Sequence, residues 1–231
     1  MKKILFAAVL SLLKVTASAQ LVVLNDEGRD LSYVETIKSR AQKIVDGLAL
    51  ADSAKAENVR NIIANRYFLL NDIHGEYDKR IQHIKDSIQG KGRKERMMES
   101  AGRHRDAELY KHHFELASAL ALYLSDEQVD AVKDGMTYGR LKRDYQATQD
   151  MIPSLSDFEK QQILIWLKEA REYAMDAADS KGKHFWFDKY RGRTNNWLSA
   201  RGYDLKKERD EWMKRNAASG NNNAASGLNN K

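Results

Sequence analysis

The 231-residue chain has no cysteine. That absence excludes disulfides, thiol nucleophiles, thiolate metal ligands and lipid attachment through a thiol. There is a single proline, Pro153, and runs of β-branched residues are few, so little in the chain interrupts helix or favours strand. Only one long apolar run exists, Ile4 to Leu13, and it falls short of the ~20 residues a bilayer span requires. No catalytic or metal-binding motif is specific enough to name a reaction. We therefore expect a binding protein rather than an enzyme, with no cofactor and no metal.

What is present at the start of the chain is an export signal. Lys2 and Lys3 precede the apolar run, and Ala17-Ser18-Ala19 follows it with the small residues of a cleavage site. The expected organisation is a signal peptide over 1–19, a helical domain over 20–215 and a disordered Asn/Ala/Ser/Gly-rich tail over 216–231, where almost nothing apolar is available to bury. The expected address is periplasmic or secreted, with no membrane anchor. Loss of Lys2, Lys3 and Lys14 lowers the formal net charge from +6 to +3. That is an ordinary solvated surface, and nucleic acid is not an expected partner.

Helix is written throughout the domain, and the expected fold class is an all-α single-domain bundle of six or seven helices with no sheet. Val34, Ile37, Ala41, Ile44, Val45 and Leu48 share one helical face. A longer stripe from Val59 through Ile63, Leu70, Ile81 and Ile84 to Ile88 predicts a helix of about 35 residues with Gly75 as its weak point. The segment Gln89-Gly90-Lys91-Gly92 should end it, and a third helix should run on to Leu124. Ser32-x-x-Glu35, Ser125-x-x-Gln128 and Ser156-x-x-Glu159 read as capping boxes, and Asp52 as a simpler N-cap. Pro153 should stop the fourth helix. Gly202 suits a left-handed position after a helix, with Tyr203 packing back on Leu198. A short last helix is expected from Asp204 to Arg215.

Several constellations invite a functional reading. His104, Glu108 and His112 lie four apart on one face, but two turns between the histidines is wide for zinc, and an exposed face with ordinary i, i+4 pairing explains them. The basic run from Lys79 to His113 reads as a solvated helix pair. Gly135 and Gly139, taken as lying inside the fourth helix, would open a notch for close packing or a ligand, flanked by Lys133, Asp134, Thr137 and Tyr138. His184 to Arg201 crowds Phe185, Trp186, Phe187, Tyr190 and Trp197 among six basic residues counted from Lys181, with Asn195 and Asn196 beside them. Aromatic faces stack on sugar rings, amides bond hydroxyls, and Arg clamps a carboxylate. An aromatic core with a solvated basic back face explains the same pattern.

The segments VKDGMTYGRLK (132–142), LKEAREYAMDAADS (167–180) and FDKYRGRTNNWLSARGYDLKKE (187–208) resemble the recurrent motifs of a family of exported Bacteroidota proteins. That family is known only as a domain of unknown function, with sugar binding suggested for it. The resemblance spans about Leu31 to Trp212. It implies an all-helical fold and a role beside polysaccharide breakdown. On that basis Lys133, Asp134, Tyr138, Asp176, Tyr190, Arg193, Asn195 and Asn196 are the candidate ligand-binding residues. The expected ligand is an oligosaccharide, with acidic ones favoured by the mixture of Arg, Lys and aromatic residues. The alternative is a periplasmic chaperone, because Leu124-Ser-Asp-Glu-Gln128 resembles the LTxxQ motif of Spy-type proteins. An enzyme using paired carboxylates among Asp134, Asp176 and Asp188 is a third reading.

Overall fold

The computed structural model describes residues 21–218, and those residues contain nine helices and no strand. The signal peptide expected over 1–19 and the part of the expected tail beyond Ala218 lie outside the described residues. The helices are α1 (Leu31–Asp46), α2 (Ser53–Ser87), α3 (Lys91–His112), α4 (Glu115–Leu120), α5 (Asp126–Met136), α6 (Arg140–Met151), α7 (Asp157–Met175), α8 (Ser180–Ala200) and α9 (Leu205–Ala218). The all-α class is as expected, but nine helices replace six or seven, for reasons specific to two breaks.

The first break divides the expected third helix into α3 and α4. The His112 carbonyl, which would continue the ladder, accepts instead from Arg66 Nη1 at 2.9 Å. The next residue, His113, turns its ring to Asp176 at 2.7 Å. The second break lies inside the segment read as a glycine-notched helix. α5 ends at Met136, and Tyr138 and Gly139 both adopt left-handed backbone at φ +61° and +62°. Gly139 N–H donates to Asp134 O (2.8 Å) and Tyr138 N–H to Gly135 O (3.3 Å), the bond pair of a Schellman motif. The two glycines thus do different things. Gly135 lets α5 approach α1, since a Cβ there would sit 3.1 Å from Ile44. Gly139 starts α6.

Other ends follow the sequence closely. Ser125 with Gln128 and Ser156 with Glu159 form complete capping boxes, and Asp52 caps α2. Ser32 does not cap α1: Asp30, two residues earlier, accepts from Tyr33 N–H at 2.9 Å. α2 runs its full 35 residues without yielding at Gly75. At the end of α8, Gly202 (φ +97°) supplies the second Schellman motif, with Tyr203 N–H on Leu198 O at 3.2 Å. α9 continues to Ala218, three residues beyond the expected Arg215.

Two cores result. α1, the first half of α2, α4 and α5 bury Val34, Ile37, Ile63, Phe68, Leu120 and Val132, and Met175 from the end of α7 joins them. α6, α7 and α8 bury Leu141, Ile163, Trp166, Leu167, Phe187 and Leu198. α7 therefore takes part in both. The distal half of α2 pairs with α3 over a small cluster of Ile81, Ile84 and Ala101. Residues 22–25 lie along α2, held by an asparagine row: Asn58 Oδ1 accepts from Val22 N–H (2.7 Å), Asn61 Nδ2 donates to Val22 O (2.7 Å), and Asn65 bonds Asn25 N–H and Val23 O (2.8 Å each).

Glu159 does more than complete a box. Its carboxylate accepts from Arg201 Nε (2.7 Å), Ser156 N–H (2.9 Å) and the Tyr203 hydroxyl (2.8 Å). The Arg201 bond foremost, then the Ser156 amide, draw its pKa from the usual 4.5 to about 2. A depressed carboxylate contributes stability above its unfolded value and loses it as pH falls through the folded one. Acid unfolding monitored by circular dichroism should therefore show Glu159's contribution intact above about pH 4.5 and draining away towards pH 2. Glu159→Gln should lower stability at neutral pH and flatten that acid slope.

Candidate functional site

The eight candidate residues do not share one opening. Lys133 pairs with Glu172 (2.9 Å), and Asp134 with Arg171 (2.7 Å), which also holds Asp130 (2.6 Å). That network closes α5 on α7. Asp176 is bound by Arg66 and His113, and its backbone carbonyl meets His74 Nε2 at 2.8 Å. Tyr190 and Arg193 face α7: the Arg193 guanidinium lies 4.6 Å from the Trp166 ring centre and 3.3 Å from Glu169. Burial first, then Glu169, push the Tyr190 phenol well above its usual pKa. Asn196 is exposed. Asn195 lines a separate groove between α6, α8 and α9. Tyr138 reaches a different cavity, one whose wall includes the buried Lys183.

The aromatic segment chiefly seals α7 against α8. Trp197 meets Trp166 edge-on at 5.1 Å, and Tyr173 stacks on Trp186 at 4.5 Å. Asp134, Asp176 and Asp188 are spread over three different arginine partners, Arg171, Arg66 and Arg140, so these three carboxylates are not paired with one another. Among the described residues no group of three or more His, Asp or Glu is placed to hold a metal. His112 pairs with Glu115 rather than joining His104.

The cavity at Tyr138 holds about 370 Å³ and is walled by Tyr33 and Arg40 of α1, Tyr67 and Asn71 of α2, and the turn from Ala177 to Asp179 with Ser180 and Lys183 of α8. Such a volume lies at the low end of the ~300–1,000 Å³ usual for small-molecule sites. Two of the three segments carrying the family resemblance meet here: Tyr138 comes from 132–142, and Ala177, Ala178, Asp179 and Ser180 from 167–180. Arg140 holds His184 through Nδ1 at 2.8 Å, and His184 in turn stacks on Tyr138 at 5.7 Å. The Tyr138 ring is thus positioned although it is 48% exposed.

Lys183 is the residue that sequence reasoning missed. Asp179 caps α8 by accepting from Gly182 N–H at 2.7 Å, which places Lys183 in the first helical turn, where the helix dipole disfavours a cation. Its ammonium donates to the Met136 carbonyl at 2.9 Å, at the C-terminal end of α5. Five charged side chains are buried among the described residues, and four have an opposite charge in contact: Arg66, Arg140, Glu159 and Arg171. Lys183 is the fifth: its ammonium meets a neutral carbonyl and the Tyr67 ring, and no acid contacts it. Burial, reinforced by Arg40 and Arg66, lowers its pKa to about 8. Burial raises the neighbouring Tyr67 phenol to about 12, keeping it a hydrogen-bond donor. In the sequence, Lys183 looked like one more member of a basic run.

An all-helical bundle with a cationic, tyrosine-walled cavity is the class these observations define. The chain belongs to the family described as protein of unknown function DUF3826, whose model matches residues 34–218. No curated protein matches it.

The Asp176 cluster and the cavity separate stability from binding. Asp176→Asn leaves Arg66, only 4% exposed, without its counter-charge, and should cost about 3 kcal/mol in urea denaturation. Tyr138→Gly should do the reverse. Relief of the left-handed strain is worth ~1–2 kcal/mol, and loss of the His184 stack offsets part of it. The variant should be more stable than the parent by about 1 kcal/mol.

Proposed function

We propose that this protein binds an acidic sugar residue in the tyrosine–lysine cavity, as an exported accessory to polysaccharide use. The observation that carries the reading is the Lys183 ammonium, buried on the cavity wall without an acid partner. A buried, unmatched cation is costly on its own, and a carboxylate ligand supplies what the fold withholds. Arg40 lies on the same wall and offers a forked donor for carboxylate oxygens. Three tyrosine rings provide apolar faces for sugar C–H groups and hydroxyls for their oxygens. The side-chain amide of Asn71 adds a donor and an acceptor. The exported address rests on the leader read in residues 1–19. Among the described residues no helix is long and apolar enough to cross a membrane.

The chaperone reading draws on Leu124-Ser-Asp-Glu-Gln128. There Ser125 accepts from Gln128 N–H and Gln128 returns a bond to Ser125 N–H. Helix initiation accounts for Ser125 and Gln128.

Calorimetric titration with short galacturonate and glucuronate oligomers, against their neutral counterparts, tests the proposal. Acidic oligomers should bind and neutral ones should not. Lys183→Met should weaken binding at least about tenfold, the factor of a single 1.4 kcal/mol contact. Tyr138→Gly should also weaken it, despite a more stable fold. Equal affinity for neutral and acidic oligomers, or unchanged binding in both variants, would remove the cavity as the site.

A further inference from the structure

We propose that the cavity cleaves the glycosidic bond of a uronic-acid chain by β-elimination, with the Lys183 amine as base, Arg40 neutralising the carboxylate and Tyr67 as proton donor. This rests on the acidic-sugar reading above, with Arg40 holding the carboxylate alone once the Lys183 amine has lost its proton, and departs from the expectation of a protein without catalysis.

The functional groups present select this chemistry over hydrolysis. Glycoside hydrolysis uses two carboxyl groups flanking one bond, about 5–9.5 Å apart. The cavity wall contains one carboxylate, Asp179, and it is occupied by the Gly182 amide as the cap of α8. What the wall does contain is an amine, a guanidinium and phenols. Those are the groups elimination requires. A carboxylate at C5 of a uronate acidifies the C5 proton once a cation neutralises it. A base then takes that proton, and the C5–H electrons form the C4–C5 double bond. The C4–O bond breaks, and its electrons leave with the departing sugar oxygen, which is protonated by a phenol. Nothing is oxidised or reduced, and no co-reactant is consumed. The products are a new hydroxyl on one fragment and a 4,5-unsaturated uronate on the other.

Geometry and electrostatics suit the assigned roles. Lys183 and Tyr67 are neighbours, the ammonium nitrogen lying 5.6 Å from the ring centre. The bond to Met136 O engages one N–H and fixes the amine in place. The charged and titratable groups around it are Arg40 on α1, Arg66 and Tyr67 on α2, Tyr138 in the α5–α6 turn, and Asp176 and Asp179 in the α7–α8 turn. With its pKa near 8, the amine is partly unprotonated under mildly alkaline conditions, whereas Tyr67, near 12, keeps its proton. A matched base and acid are thereby present at one pH.

The test uses the full chain with oligomers of galacturonic and of glucuronic acid. Ultraviolet absorbance reports the conjugated product, a reducing-end assay reports any cleavage, and calorimetry reports binding separately. Unsaturated product should accumulate, with a rate that rises with pH up to about 8 and then levels. Lys183→Arg keeps the charge but cannot act as base. It should retain binding and lose turnover by about 10²–10⁴-fold, the usual contribution of general base catalysis. Tyr67→Phe should likewise lower turnover more than affinity. Binding without unsaturated product overturns the elimination and leaves the binding reading intact. Reducing ends without unsaturation overturn it in favour of hydrolysis. Undiminished turnover in Lys183→Arg overturns the assignment of the base. Absence of binding removes the reading on which the inference stands.

Discussion

One carboxylate at the end of α7 holds the structure's distant parts together. Asp176 binds the Arg66 guanidinium from α2 and the His113 ring from the α3–α4 junction, and its backbone carbonyl takes His74. Arg66 uses its other terminal nitrogen on the His112 carbonyl, so the bend between α3 and α4 depends on the same cluster. A buried ion pair of this kind yields little net stability over an apolar substitute, yet loss of either member is costly. Its value here is positional. The turn following Asp176 is held over α2, which brings Ala177 to Lys183 beside Tyr67 and Tyr138. The cavity exists because that turn cannot drift.

The buried charges follow one rule with one exception. Arg140 lies between Asp144 and Asp188, Arg171 among Asp130, Asp134 and Glu172, and Glu159 against Arg201. Each joins elements distant in the chain, and in each the desolvation of one charge is offset by another. Lys183 also joins elements, α8 to the end of α5, but a carbonyl only partly offsets its burial. An unmatched ammonium in a helix's first turn weakens the fold at that point. It is an intelligible arrangement where the missing charge arrives with a ligand.

Local features were legible from the residues, and long-range captures were not. The caps at Ser125, Ser156 and Asp52, the uninterrupted α2 and the Schellman turn at Gly202 all depend on neighbours within a few positions. Periodicity and cap chemistry record such neighbours directly. The break at His113 depends on Arg66, 46 residues away, and nothing near His113 announces it. Asn58, Asn61 and Asn65 of α2 bond residues 22–25, some 36 to 42 positions away, and no local pattern in α2 marks them for it. The wrong helix through Gly135 and Gly139 had a different origin. The spacing of the glycines was read as a shared face, whereas Tyr138 between them takes the left-handed conformation that glycine ordinarily supplies. For the site, the sequence offered polar residues in plenty but no means to tell paired from unpaired. Lys133, Asp134 and Asp176 prove to be paired, and Lys183, the unpaired one, was hidden among basic neighbours.

Two of the places where this chain departs from local preference coincide in space. A tyrosine occupies the position after α5 where glycine is preferred, and a lysine occupies the first turn of α8 where an acid is preferred. Both border the same 370 Å³ cavity. Each alone has a structural role, since Tyr138 carries the Schellman bond to Gly135 and Lys183 caps Met136. Glycine at the first position and an uncharged hydrogen-bond donor at the second would fill those roles with less strain and less desolvation. What such substitutes would lack is a ring at the rim and a charge on the wall, and those are properties that matter to a ligand rather than to the fold.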